Sequence, residues 1–203
     1  MPTSCQHFAH LDRRVSDLTK KFVDDQILSE TKDPISFSPD LDRLAAYRLL
    51  VHAEIEQFLE AKAREYLSVV EGWIRSGSTW MRQCPGLVAL AVALNKPLPN
   101  SEHLETDKLG TFAIEVISSA KNKVAENNSI KSPAFLFLSL CAGKTIDEIG
   151  SGLSLTLNSY GKNRGDVAHK SVEHTTSIQA PSAERSTAVT IVSELALYFD
   201  VRA

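Results

Sequence analysis

The chain has little with which to staple itself, and little with which to leave the cytosol. Its 203 residues include three cysteines, Cys5, Cys84 and Cys141. They are odd in number, far apart and in no metal-ligand spacing, which argues against a disulfide framework and suits free thiols in a reducing cytosol. The N-terminus carries charges from Asp12 onward and has no apolar core, so it does not read as a signal peptide. The longest apolar run, Leu87 to Leu94, is too short to span a bilayer. There is no excess of positive charge either. The net charge is −3, so no global field draws nucleic acid, and any contact with phosphate has to be local. No internal repeat, no low-complexity tract and no convincing strand alternation is present.

What is present is helical patterning. A hydrophobic fraction of 43% and a charged fraction of 23% are ordinary for a globular chain that buries its own core. Phe8, Leu11, Val15, Leu18 and Phe22 are spaced 3, 4, 3, 4, one face of an amphipathic helix. His7 and His10 share that helix without a third ligand and read as surface residues. A linker is expected near Asp33-Pro34, dividing an N-terminal helix and linker (1–37) from the main helical domain (38–203).

Ser38-Pro39-Asp40 signals a helix start, and a long helix is expected from about Pro39 to Arg75. Its stripe is Leu44, Tyr47, Val51, Ile55 and Phe58, and the Glu60–Arg64 pair supports its solvated side. Of its acids, Glu54 or Glu56 is the one that would face a site, if any does. Further helices are expected over Leu87 to Leu94, Asp107 to Glu126, Ala134 to Ala142 and Ser182 onward. Trp80 reads as a packing residue and His103 as exposed.

Gly143-Lys144-Thr145 looks like the end of a phosphate-binding loop, but the glycine required five positions earlier is Leu138 and no strand precedes it. Thr145-Ile146-Asp147-Glu148 is instead a capping box. The helix that follows is expected to end at Gly161 as a left-handed cap, and Asn163 to open a new one with Asp166 in its first turn.

That placement makes Lys162 to Lys170 the candidate site. Arg164 offers a permanent cation whose fork binds phosphate in bidentate fashion. His169, five positions on and about 140° round an ideal helix, offers a proton acceptor near neutral pH. Lys162 and Lys170 make the stretch locally basic, Asn163 and Asp166 add polar contacts to substrate, and exposed N–H groups at a helix start would add anion affinity. These parts suit RNA cleavage by the RNA's own 2′-hydroxyl, with no metal and no cofactor. The alternatives are an Arg164 paired with Asp166 or a neighbouring helix, and a His169 satisfied in the core. One histidine is poorly placed to be both base and acid, so a symmetric dimer pairing two such stretches is the better catalyst.

Arg164-Gly165-Asp166-Val167-Ala168-His169 resembles the Arg-x4–6-His signature of HEPN domains, here near the start of a late helix. Upstream, Lys123 to Leu138, the helix to Tyr160, and the long helix carrying Ala53 to Glu60 resemble the RiboL-PSP-type group of that superfamily. The resemblance covers roughly Asp40 to Phe199 and leaves the N-terminal helix outside. It implies an all-α, HEPN-like helical bundle with an additional N-terminal helix. It further implies a homodimer through the Arg164–His169 face, and metal-independent endoribonuclease activity leaving a 2′,3′-cyclic phosphate. It implies service in a toxin–antitoxin or anti-phage system, with an antitoxin or defence partner, in the cytoplasm and away from membranes. Many HEPN domains carry a polar residue, often asparagine, directly after the arginine. Here that position is Gly165. The alternative reading is a HEPN-like module that binds RNA, nucleotides or protein without cleaving.

Overall fold

The computed structural model describes residues 2–77, 84–97, 106–148, 151–169 and 177–203; the side chains at 84, 85, 106, 107, 146, 151 and 169 lie outside that description. Trp80, His103 and Lys170 are not among the described residues, and the His169 side chain is not either. The described chain is all-α. Its helices are α1 (Gln6–Phe22), α2 (Asp24–Lys32), α3 (Leu41–Arg75), α4 (Cys84–Ala93), α5 (Thr106–Ala125), α6 (Ser132–Cys141), α7 (Ser151–His169) and α8 (Pro181–Phe199). The only pairing outside them, among these residues, is a two-residue parallel ladder of β1 (Thr3–Ser4) with β2 (Val201–Arg202).

Two compact units result. The first comprises Met1–Phe58, Ile130–Ser132 and Ser151–Ala203; the second comprises Leu59–Ser129 and Pro133–Gly150. The first unit therefore gathers the N-terminal helices with the last two, and residue 37 marks no edge of it. Phe8, Leu11, Val15 and Leu18 of α1 are buried, as are Leu44, Tyr47, Val51 and Ile55 of α3. Ala188, Ile191, Val192 and Leu195 supply the core face of α8. Phe58 stands edge-on to Phe8 and to Phe199, with centroids 5.9 and 5.4 Å away. Such T-shaped pairs favour the ring quadrupoles as well as the burial.

The N-terminal segment holds two helices rather than one. The chain breaks at Val23, which is fully buried, and restarts with Asp24 and Asp25 in the first turn of α2, where acids favour the helix dipole. Arg43 then grips Asp25 through two 2.7 Å hydrogen bonds and donates a third to the Lys21 carbonyl at 3.0 Å. The cap of α3 is Asp40, not Ser38. Asp40 Oδ1 accepts the Arg43 N–H at 3.0 Å, while the Asp40 N–H donates to Gln26 Oε1 at 2.8 Å. An acid two residues later than expected satisfies one of the helix's orphan donors. Glu30 of α2 likewise caps α8, accepting from the Ser182 N–H at 3.1 Å and its hydroxyl at 2.9 Å.

Inside the first unit lies one ion pair almost without solvent. The side chains of Arg48 (α3) and Glu184 (α8) are 3% and 2% exposed. Arg48 donates to both Glu184 oxygens, to Ser177 Oγ at 3.2 Å and to the Ser177 carbonyl at 2.7 Å. Glu184 also accepts the Gln179 N–H at 2.8 Å. Four of the five Arg48 N–H groups and both Glu184 oxygens are thereby engaged, which is the condition for charges to survive burial.

The second unit follows the sequence closely. Glu60 and Arg64 pair at 2.6 Å, and Glu60 also accepts from Asn127 at 3.0 Å. α6 buries Phe135, Phe137, Leu138, Leu140 and Cys141, and burial pushes the Cys141 thiol up to about 12. The helix stops at Gly143 (φ +82°), with the Gly143 N–H bonded to the Leu140 carbonyl and the Lys144 N–H to that of Ser139. This is the Schellman arrangement. The Glu148 carboxylate reaches back to the Thr145 N–H at 2.8 Å, the returning half of the expected capping box. It closes a short 3₁₀ turn, Ile146–Glu148. α4 is less enclosed than its apolar sequence suggests: Leu87, Leu90 and Ala91 are buried, whereas Val88 and Val92 are exposed.

Candidate functional site

The expected break at Gly161 does not occur. α7 runs unbroken from Ser151 to His169, so Asn163 opens no helix and Arg164 sits inside one. The N–H groups there are taken by carbonyls four residues back, and the anion-binding helix start drawn from the sequence is absent from residues 163–166. The glycine is there for a different reason. A Cβ at Gly161 would lie 3.0 Å from Lys131 Cγ and 3.5 Å from Ile130 Cγ1. A side chain here would make Lys131 give way by a few tenths of an ångström, so glycine eases the close approach of residues 130–132 to the helix.

The predicted residues distribute around α7 as the helical period dictates. Lys162 is exposed; Asn163, Arg164, Gly165 and Asp166 are half-buried. Asn163 lines a cavity of about 160 Å³ together with Arg48, Ser159, Tyr160, Gln179 and Glu184. Arg164 projects about 100° away from it. The two are neighbours in sequence but face different surroundings. A Cβ at Gly165 would meet nothing within 4 Å. The His169 backbone completes the helix.

Arg164 has the least settled electrostatics. Its Nε is shut off from solvent and donates to no group among the described residues. Beside it is a histidine that no motif pointed to. His52 of α3 is 2% exposed, and its Nδ1 also lacks a hydrogen-bond partner. Glu56 Oε2, one turn along α3, is 3.9 Å from that nitrogen, beyond hydrogen-bonding range. Burial first, then the Arg164 guanidinium, then the Lys131 ammonium push the His52 pKa down to about 4. His52 is therefore neutral at pH 7, next to a cation with an unused buried donor.

The sequence did carry a signal for His52. Arg48 and His52 follow Leu44 at i+4 and i+8, so both polar residues fall on the apolar stripe of α3, where burial demands a purpose. Of the two acids singled out on that helix, Glu56 is the one near His52. Glu54 faces α1, where it pairs with Arg14 at 2.9 Å and approaches His10 at 3.6 Å. Among the described residues no cluster of three or more His, Cys, Asp or Glu is arranged to hold a metal ion, and no helix is long and apolar enough to cross a membrane. The chain matches no protein-family model, no curated protein and no solved structure.

Proposed function

We propose that the Arg164 face of α7 binds the phosphodiester of RNA, and that the chain is a metal-independent endoribonuclease working as a dimer. The observation that carries this reading is the buried, unpartnered Nε of Arg164 beside the neutral His52, whose Nδ1 makes no hydrogen bond. The guanidinium is a permanent cation whose planar fork suits an oxyanion, and its Nε is not engaged by the protein. In the reaction His169 removes the proton of the 2′-hydroxyl, and the 2′-oxygen attacks phosphorus. Arg164 stabilises the charge growing on the phosphoryl oxygens. The 5′-oxygen leaves and takes a proton from His169 of the partner subunit, giving a 2′,3′-cyclic phosphate and a 5′-hydroxyl. Lys162 and Lys170 attract the polyanion, and Asn163 and Asp166 supply polar contacts. The resemblance to HEPN domains supports the same reaction and suggests its setting, a cytoplasmic toxin–antitoxin or anti-phage system with its own antitoxin or defence partner.

The test is RNA cleavage in the presence of a chelator. Wild type should cut, and His169→Ala and Arg164→Ala should each lose at least about 100-fold with helical content intact. Equal cutting by wild type and His169→Ala refutes the reading.

Gly165 favours a second reading, RNA binding without turnover, because the polar neighbour common in HEPN domains is missing. A Cβ at Gly165 would meet nothing within 4 Å, so Gly165→Asn is the variant that restores the polar neighbour. On this reading wild type binds RNA in a salt-sensitive way that Arg164→Ala weakens, and cutting appears only in Gly165→Asn.

A further inference from the structure

Two groups from outside α7 frame Arg164. Lys131 arrives on the turn at 130–132, its stem laid over Gly161. Gly161 and Arg164 are three residues apart and share a face of the helix. His52 arrives from α3, 2% exposed, with its Nδ1 unpartnered. The charged groups facing it are Arg164 on α7, Lys131 from the turn and Glu56 on its own helix. Two cations and burial keep a third positive charge off the imidazole. At the same time Arg164 Nε lacks an acceptor.

An oxyanion at Arg164 alters the first condition: its negative charge offsets one of the two positive charges acting on His52. The Glu56 carboxylate, 3.9 Å from Nδ1, is already in place to accompany an imidazolium. We infer that the Arg164 site takes up a proton together with its oxyanion, and that His52 is the group that receives it. His52 is thus a positioning residue: once charged, it adds its attraction to that of Arg164 and holds the phosphate in the fork.

The size of the effect follows from Coulomb's law. One negative charge at about 5 Å, in an effective dielectric of about 20, raises a neighbouring pKa by about two units. Starting from about 4, His52 in the complex titrates near 6. At pH 5.5 that corresponds to uptake of about 0.7 proton per site, and it tightens binding about tenfold between pH 8 and pH 5.

The inference rests on the proposed oxyanion site, and the experiment separates the two. The full chain is prepared as His169→Ala, which leaves the RNA uncut and removes the other histidine of the site. Oligouridine, whose bases do not titrate in this range, is added at low salt. The His52 imidazole is followed by NMR of ¹³C-labelled histidine, and proton uptake by calorimetry in buffers of different ionisation enthalpy. The expected result is a His52 midpoint rising from about 4 to about 6, with net proton uptake at pH 5.5. Adding His52→Gln should abolish both the uptake and the tightening toward acid, whereas a purely structural role would leave that pH profile in place. Binding with the His52 midpoint unmoved and no proton uptake overturns the inference and leaves the oxyanion site standing. Failure of oligouridine to bind overturns both.

Discussion

Replacing Arg48 by methionine should be among the most damaging single changes in the first unit. The substitution keeps most of the side-chain volume and removes the charge. Glu184, 2% exposed, then retains the Gln179 N–H at 2.8 Å as its remaining donor among the described contacts, and the Ser177 carbonyl and hydroxyl lose their partners. Breaking one side of a buried ion pair in this way costs about 3–5 kcal/mol. By contrast, the exposed Lys62–Glu65 pair at 2.7 Å contributes at most about 1 kcal/mol, although its distance looks equally good. The assay is a double-mutant cycle in urea followed by circular dichroism, with Glu184→Leu as the second change. Removing both charges leaves the Gln179 N–H and the Ser177 groups without partners, about 1–3 kcal/mol for each that stays buried, but no uncompensated buried charge. The double variant should therefore be more stable than either single variant. A cost below about 1 kcal/mol for Arg48→Met, or costs that simply add, would refute the view that the two act as one desolvated group.

Two further predictions concern stability. Gly143→Ala should destabilise by at least about 2 kcal/mol, read in the same urea assay, because a Cβ there would sit 2.5 Å from the Tyr66 ring on a backbone with φ +82°. Acid should weaken the fold in a window set by His52. Its folded pKa of about 4 lies below the ordinary 6.5, so the unfolded chain binds more protons. The stability it contributes is complete above pH 6.5 and is lost as pH falls through 4, to a total of about 3 kcal/mol. Wild type should lose most of that between pH 6.5 and 4.5, and His52→Gln should show a flatter profile over the same range.

Helix existence was easy to read from this chain and helix ends were not. α3 was legible because nothing in residues 41–75 forces a break and its stripe keeps a helical period. The helix expected over Ala134 to Ala142 does stop at Gly143, whereas the stop expected at Gly161 is absent. The two glycines look alike in sequence. One has a positive φ and a ring against it; the other lies inside a helix with a turn pressed onto its bare Cα. Propensity cannot tell a glycine that ends a helix from one that lets another segment close in, because the difference lies in residues thirty positions away. The same limit hid His52. Its neighbours Arg164 and Lys131 are distant in sequence and no spacing links them. The placement of Arg48 and His52 on an apolar stripe was the available clue, and it points to burial without naming the partner. The free helix start read at Asn163 gave way to a continuous helix in which Arg164 Nε is buried without a partner.

The pairing of Thr3 with Val201 and the packing of α1 on α8 set an order of events during synthesis. α1 leaves the ribosome about 160 residues before the helix it packs against. At roughly 5–20 residues per second, its apolar face of Phe8, Leu11, Val15 and Leu18 spends about 8–30 s without its final cover. The second unit, confined to residues between 59 and 150, is complete in that interval, while the first must close a loop spanning almost the whole chain. The apolar face of α1 therefore waits longest for its cover, and the surroundings of Arg164, which lies on α7, cannot assemble until that late helix is made.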